Sequence, residues 1–195
     1  MPRKVRELMD LGIYHVVGRG NNRQKLYRDS VDYEQKLKFL LRARKKWSFD
    51  LYHYCLMPNH FHFLVRIQQA RDLPNLMRET LLAYTRYYKR KYGFIGHLFQ
   101  GRFKSPRIPE ESYYLQCGRY IERNPVKARI VTEAWQYPYS SARFYATGAD
   151  DPLITPNLYY EEMGVKDTEC QEAYRRFLLK EEPYSSMVDS ELLRR

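Results

Sequence analysis

The chain has 195 residues, which suffices for one domain with a substantial core, and its net charge is +11. No apolar run approaches the roughly 20 residues of a membrane span and no signal-peptide segment opens the chain, so we expect a cytoplasmic, nucleoid-associated protein without a membrane partner. The three cysteines lie far apart, which argues against disulfides and against a thiolate zinc site.

The balance of basic and acidic side chains changes near residue 148. Residues 1–148 carry 28 basic and 12 acidic side chains, whereas residues 149–195 carry 6 and 11. A basic body with 15% aromatic residues suits a nucleic acid, because Lys and Arg neutralise phosphates and rings stack on unpaired bases. We predict a main domain, 1–148, and an acidic C-terminal extension, 149–195, which either packs as a helix or competes with DNA for the basic groove. The alternative to nucleic-acid binding is a soluble protein that happens to be basic.

The first half of the chain predicts a strand, a helix and a hairpin. "GIYHVVGRG" (12–20) is rich in β-branched and aromatic residues and ends in glycine, which is typical of a strand. "SVDYEQKLKFLLRARKKW" (30–47) begins with a capping residue, Ser30, and places leucines on one helical face. "SFDLYHYCLM" (48–57) and "HFHFLVRI" (60–67) predict two antiparallel strands, because the Pro-Asn pair between them favours a turn.

The second half predicts helices separated by a loop. Residues 72–93 predict an amphipathic helix with basic last turns. Residues 94–109 predict a loop, and a short strand at its end is an open alternative. Residues 110–124 predict a helix stopped by Pro125, since the residue before proline disfavours the helical region. A last helix is expected over 168–182. The order indicates an α+β fold, an antiparallel sheet with helices on one face, plus a small C-terminal helical extension.

Two histidines share one face of the strand over 60–67. Residues two apart in a strand point to the same side, so His60 and His62 lie together after the turn, opposite four apolar, core-facing residues. Two neighbouring imidazoles can bind one ion. The alternative is a pair of polar residues on a solvated face, because H-x-H is common by chance and no H-E-x-x-H motif is present.

Tyr120 and Asn124 lie four residues apart in the helix predicted over 110–124, so they share a face. Two imidazoles and an amide oxygen form a mixed site with open positions, which suits Mg²⁺ or Mn²⁺ bridged by phosphate oxygens. A tyrosine hydroxyl beside such an ion is a candidate nucleophile toward phosphorus. The alternatives are a core tyrosine and an Asn-Pro pair that caps a following short helix.

Five segments of the chain, taken together and in this order, resemble a known family. They are "YHVVGRGNNRQKLY", "YCLMPNHFHFLV", "LFQGRFKS", "YIERNPVKARIV" and "YPYSSARFY". The resemblance covers residues 10–146 and is to the single-tyrosine HUH (IS200-like) transposases, most closely the REP-associated tyrosine transposases of bacteria. It implies that Tyr120 is the nucleophile and that His60, His62 and Asn124 are the metal ligands. Insertion-sequence relatives carry Gln at the position of Asn124.

The same resemblance implies a ferredoxin-like fold and a metal-dependent endonuclease and strand transferase. Its substrate would be single-stranded DNA at REP (repetitive extragenic palindrome) hairpins, cleaved through a covalent 5′-phosphotyrosine intermediate and then rejoined in DNA transposition and recombination. We expect a monomer, with a dimer as the alternative. Two other functions stay open: a DNA hairpin-binding regulatory protein that does not cleave, and a zinc hydrolase.

Three basic or polar stretches are predicted DNA contacts. The Gly-rich turn after the first strand offers backbone, Asn and Arg groups, the second helix ends in cations, and the loop beyond it mixes cations with rings. The residues are Arg19, Asn21, Asn22, Arg23, Arg86, Lys89, Arg90, Lys91, Phe99, Arg102, Phe103, Lys104 and Arg107. An ordinary turn and a solvated helix end are the alternatives for the first two stretches.

Overall fold

The structure, a computed structural model, describes residues 7–108 and 113–180. Its strands are β1 (Ile13–Arg19), β2 (Phe49–Met57) and β3 (His60–Ile67). Its helices are α1 (Ser30–Arg44), α2 (Asp72–Tyr92), α3 (Tyr113–Glu122), α4 (Asn124–Lys127), α5 (Ala142–Thr147), α6 (Leu158–Glu161) and α7 (Asp167–Leu179). Short 3₁₀ turns lie at Asn21–Arg23 and Ala134–Gln136. Within the described ranges, no helix is long and apolar enough to cross a lipid bilayer.

The strands form an antiparallel sheet in the order β1-β3-β2, with β3 in the centre. Segment 99–107 runs antiparallel along the outer edge of β1 and pairs with it at isolated positions, among them Val17 with Lys104. The segment does not form a continuous strand, because Gly101 has a φ of 138° and Pro106 lacks a backbone N–H. With this edge segment, the sheet has the strand arrangement of a ferredoxin-like fold. The predicted α+β architecture is confirmed.

The two faces of the sheet are both covered. Phe61, Phe63, Val65 and Ile67 of β3 face α1 and α2 and form the main core with them, as predicted. The structure adds α3 on the opposite face, where Leu64 packs against Cys117 and Ile121. A helix is needed there because this face also carries apolar side chains that would otherwise meet water. The predicted helix over 110–124 corresponds to α3, and its first residues lie outside the described ranges.

The C-terminal extension is helical, as predicted, in its described part. Its backbone joins the edge of β2, since the Thr155 N–H donates to the Leu51 carbonyl at 2.9 Å. Tyr145 of α5 and Tyr174 of α7 are fully buried in the main core. The division of the chain at residue 148 stays a prediction, and residues 181–195 lie outside the described ranges.

A buried carboxylate joins the start of α1 to the end of α2. Asp29, in place of the predicted Ser30, caps α1 by accepting from the backbone N–H of Asp32 at 3.1 Å. The buried Asp32 side chain accepts from Lys91 Nζ at 2.8 Å and from the hydroxyls of Tyr87 and Tyr92 at 2.8 and 2.7 Å. Lys91 also bonds to Asp29 at 2.7 Å. Lys91 therefore serves as an internal ion-pair partner, which differs from its predicted contact with phosphate.

These donors determine the charge state of Asp32. Burial raises its pKa, but hydrogen bonds from Lys91, the Arg28 backbone, Tyr92 and Tyr87 outweigh burial, and the net pKa lies below its usual value. The folded-state pKa is thus below the value of about 3.9 expected for the unfolded chain. The resulting stabilisation is fully present above about pH 5 and is lost as the pH falls through the folded-state pKa.

We expect Asp32→Asn to lower the free energy of unfolding by about 2 kcal/mol at pH 7, because an amide cannot accept from all of these donors. Urea titrations at pH 7 and pH 3 measure the effect, and the difference from the unsubstituted protein should shrink at pH 3. Glu34→Gln is the control, since Glu34 is 56% exposed and lies 3.8 Å from Lys38, which predicts a loss below about 0.5 kcal/mol. Equal losses for the two variants would contradict the role given to Asp32.

Candidate active site

The histidine pair lies where β3 begins. Asn59 ends the turn after β2, and His60 and His62 project to the face opposite the main core. Their ring centroids are 5.0 Å apart and their planes make an angle of 84°. His60 is half-buried and His62 is 3% exposed. The alternative of two solvated polar residues is therefore wrong for His62.

Each of the two imidazoles uses its Nδ1 atom in a hydrogen bond. His60 Nδ1 donates to Asn59 Oδ1 at 2.7 Å, and His62 Nδ1 lies 2.9 Å from Nε2 of His15 on β1. His15 is 1% exposed and its ring stacks on that of His62 with centroids 5.1 Å apart. The Nε2 atoms of His60 and His62 take no part in these two bonds, which set the orientation of the rings.

All three imidazoles are neutral at pH 7. Burial lowers the pKa of His15 to about 3. Burial and the nearby Arg19 charge act to lower the pKa of His60, and a hydrogen bond with Asn124 acts to raise it. The net pKa of His60 is about 4. The pKa of His62 is also lowered, by burial and then by the neighbouring imidazoles and cations. A neutral imidazole keeps a lone pair, which is the form that binds a metal ion.

Tyr120 on α3 lies against the histidines. Its ring centroid is 5.9 Å from that of His62 and 5.8 Å from that of His15, both in edge-to-face geometry. The Nζ atom of Lys127, seven residues further on, lies 4.6 Å from the centre of the Tyr120 ring. Tyr120 is 8% exposed, and its ring belongs to the small core between α3 and the sheet. The predicted convergence of strand and helix is present in a single chain.

The amide of Asn124 is oriented by the end of α3. Its Nδ2 donates to the carbonyls of Tyr120 and Ile121 at 2.9 and 3.1 Å, which directs the amide oxygen away from those carbonyls. The same side chain interacts with His60. Asn124 is the first residue of α4 and makes no N-cap hydrogen bond there. The alternative that Asn124 caps the following helix is therefore wrong, because its side chain bonds backward to α3.

The predicted turn contacts lie at the same end of the sheet. Arg19 pairs with His60 across β1 and β3, and the 3₁₀ turn Asn21–Arg23 follows it. Asn21, Asn22 and Arg23 are exposed, and Asn22 and Arg23 have φ values of 49° and 57°. The turn is fixed by the Asn21 N–H, which donates to the Leu98 carbonyl at 2.9 Å. The Gly-rich turn and the loop after α2 therefore meet beside His60.

Lys104 is placed on the histidine face by strand register. Lys104 pairs with Val17, and Val17 pairs with His62 on its other side. Because directly opposed residues project to the same side of a sheet, Lys104 and His62 share a face. Arg107 pairs with Tyr14, whose side chain points to the main core, so Arg107 belongs to the other side. Arg102, two residues before Lys104, is exposed.

The remaining predicted DNA contacts are not brought to the histidines. Phe99 and Phe103 are half-buried and pack against the main core. The predicted cations of the second helix are exposed on α2, on the sheet face opposite the histidines. They are Arg86, Lys89 and Arg90. Their contact with DNA stays a prediction.

Sequence reasoning missed His15, Asn59 and Lys127 as members of the site. His15 had a usable signal, since it lies on an edge strand whose alternation can place it beside a histidine of β3. Lys127 lies two helical turns beyond Tyr120, a spacing that returns to the same face. Among residues 7–108 and 113–180, no three His, Cys, Asp or Glu side chains are arranged to hold an ion. The predicted donor set of two imidazoles and an amide oxygen stays a prediction.

Comparisons with known proteins point to one family. The family model of IS200-like transposases matches residues 9–124. A solved structure described as a REP-associated tyrosine transposase bound to a REP hairpin aligns with a TM-score of 0.63 and 20% identity, over 81% of this chain and 93% of that one. A Deinococcus radiodurans protein provisionally described as a transposase aligns with a TM-score of 0.43 and 19% identity, over 63% and 97%. The search of curated proteins found no match.

At pH 6 we expect long-range ¹H–¹⁵N spectra to show neutral rings for His15, His60 and His62, because burial lowers the pKa of His15 to about 3 and that of His60 to about 4, and lowers the pKa of His62 well below its usual value. His60 should carry its proton on Nδ1, since the Asn59 oxygen only accepts. Asn59→Ala is the matched variant and should give a mixture of tautomers at His60. Imidazolium signals from His60 or His62 at pH 6 would count against this description.

Proposed function

The chain belongs to the IS200-like family of transposases, and on that premise we propose that it cuts and rejoins single-stranded DNA through Tyr120. The observation that carries the proposal is the approach of the Tyr120 ring to within 5.9 Å of the His62 ring, measured between centroids, in one chain. A core tyrosine would not need two neutral imidazoles and an oriented amide beside it. We propose that the protein works as a monomer, since the two halves of the site meet without a second chain.

The side chains fit a divalent metal ion. His60 and His62 would hold it through Nε2, and the amide oxygen of Asn124 would complete the set, directly or through water. Nitrogen and oxygen donors with open positions suit Mg²⁺ or Mn²⁺, which accept phosphate oxygens as further ligands. The ion would supply polarisation of the scissile phosphate. His15 and Asn59 would hold the two rings in the tautomers that binding requires.

The reaction that follows is a transesterification. The Tyr120 oxygen attacks the phosphorus and loses its proton, and the bond from phosphorus to the 3′ oxygen breaks. The departing 3′ oxygen takes up a proton and becomes a hydroxyl, while the 5′ phosphate stays on the tyrosine. Rejoining runs the same exchange in reverse with a 3′-hydroxyl, so one phosphodiester is conserved throughout and no external energy source is required.

The substrate class follows from charge and shape. Arg19, the exposed turn after β1 and Lys104 on the edge segment place cations around the histidine end of the sheet. Unpaired bases can stack on exposed parts of the half-buried rings of the loop 94–107. A structurally similar protein is described as bound to a REP hairpin. We therefore propose single-stranded DNA next to a REP-type hairpin as the substrate here.

Tyr120→Phe should abolish the covalent protein–DNA adduct, because phenylalanine has no oxygen to attack phosphorus. The measurement is denaturing electrophoresis after incubation with Mn²⁺ and end-labelled single-stranded REP hairpin DNA. Tyr114→Phe, in the same helix with its ring near Tyr52 and Tyr159, is the control and should form the adduct normally. A binding protein that does not cleave gives no adduct with any variant. Cleavage without an adduct, surviving Tyr120→Phe, would indicate hydrolysis by water.

Lys104→Ala should weaken hairpin binding and reduce its salt dependence, because one phosphate contact is removed. The slope of log K against log salt is expected to fall by about 0.7 in magnitude, the value for one contact to a single strand. Fluorescence anisotropy over a range of KCl concentrations measures it. Arg143→Ala removes an exposed cation from α5 and serves as the control with an unchanged slope. Equal slopes for both variants would exclude Lys104 from the DNA surface.

A further inference from the structure

A buried carboxylate lies on α3 two residues beyond Tyr120. Glu122 is fully buried, and three donors converge on it: Tyr174 OH at 2.7 Å, His53 Nδ1 at 2.9 Å and Ser141 Oγ at 2.5 Å. All three donor residues are 0% exposed. An ionised carboxylate only accepts hydrogen bonds, so three donors satisfy it and leave it little freedom to move.

The groups of this cluster come from different parts of the chain. His53 belongs to β2, Glu122 to α3 and Tyr174 to α7, and Ser141 directly precedes α5. Separating a buried polar group from its hydrogen-bond partners is costly. The cluster therefore holds α3 in one position relative to the sheet, and α7 supplies one of the three hydrogen bonds that do so.

A second set of contacts joins α7 to the turns of α3 around Tyr120. The guanidinium of Arg119, 3% exposed, lies 4.6 Å from the centre of the Phe177 ring, and its Nη1 donates to the Phe177 carbonyl at 3.4 Å. Arg123 Nη1 donates to the Lys180 carbonyl at 2.5 Å. The contacts between these two segments therefore lie both before and after Tyr120 in the sequence, at Arg119 and at Arg123.

The side of α3 that carries Glu122 is also packed closely against β2, one helical turn earlier. A Cβ atom on Gly118 would lie 2.6 Å from the imidazole of His53, so only glycine permits this approach. The ring of His53 is in turn stacked on Tyr145, with centroids 4.6 Å apart. The helix α3 thus lies between β2 and the C-terminal helices, and its position depends on both.

We propose that Glu122 and Tyr174 are positioning residues, which hold α3 so that the Tyr120 hydroxyl meets the phosphate at the histidines of the same chain. The inference rests on the proposed function of Tyr120 and deepens it. It gives the described part of the acidic extension a role in the reaction, because α7 fixes the nucleophile helix. A misplacement of the nucleophile by about 1 Å is enough to slow such a reaction about a hundredfold.

Tyr174→Phe tests the proposal with the smallest change, since it removes one donor from Glu122 and keeps the ring. Loss of one bond of three is expected to lower the rate of adduct formation about tenfold at saturating hairpin DNA. The dissociation constant for the hairpin should stay within about twofold, because the DNA-contacting residues lie elsewhere. Amide hydrogen exchange of α3 should become faster in the variant without DNA.

Tyr160→Phe is the matched control. Tyr160 belongs to α6, its ring packs on Tyr145 and Tyr174, and its hydroxyl donates to the Tyr145 carbonyl at 2.9 Å without touching α3. The control should lose comparable thermal stability and keep the wild-type rate. If Tyr174→Phe keeps the wild-type rate, or if both variants lose rate in proportion to their melting temperatures, α7 does not position the nucleophile.

Two further results separate this inference from the proposed function. If the wild-type protein forms no adduct, the proposed function fails, and hydrogen exchange still decides the inference: faster exchange of α3 in Tyr174→Phe than in Tyr160→Phe supports it, and equal exchange overturns it. If Tyr174→Phe does not fold, Phe177→Leu replaces it, because that change removes the ring beneath Arg119 and spares the carboxylate cluster. The expected rate, affinity and exchange are the same.

Discussion

Alternation along β3 is the constraint on which the candidate site depends. Because β3 is paired on both sides, its register is set at every position, and a slip by one residue would move both histidines into the main core. Phe61 and Phe63 fill that core between α1 and α2, which leaves His60 and His62 on the other face. This face carries apolar residues, which hold α3, and polar residues, which form the candidate site.

The helix α3 meets this face with two kinds of residue. Cys117 and Ile121 pack on Leu64, so the helix is attached by ordinary apolar burial. The ring of Tyr120 is next to that contact and reaches His15 and His62. The described part of this helix has 10 residues, a length that is marginal in isolation, so its conformation depends on its packing. The position of the phenol is therefore a property of the tertiary structure.

Local pattern in the sequence was sufficient for part of this arrangement. The two-residue period predicted the face that His60 and His62 share, and the four-residue period predicted that Tyr120 and Asn124 lie together, since both are properties of one element. The predicted fold placed the helices on one face of the sheet and so did not include α3 as a layer on the second face, because such packing depends on which elements meet in space. The bond between His15 and His62 was missed for the same reason: its partners are 47 residues apart.

The composition of the acidic extension and its observed contacts suggest different roles for this segment. Its net negative charge suggested a segment that competes with DNA for basic groups, yet its described helix α7 joins α3 through a neutral hydroxyl, an aromatic ring and backbone carbonyls. Arg119 and Arg123, which make these contacts, flank Tyr120 in the sequence, and Arg119 is 3% exposed and turned toward protein. A segment of net negative charge can thus support the candidate site through packing and hydrogen bonds to α3, independently of its own charge.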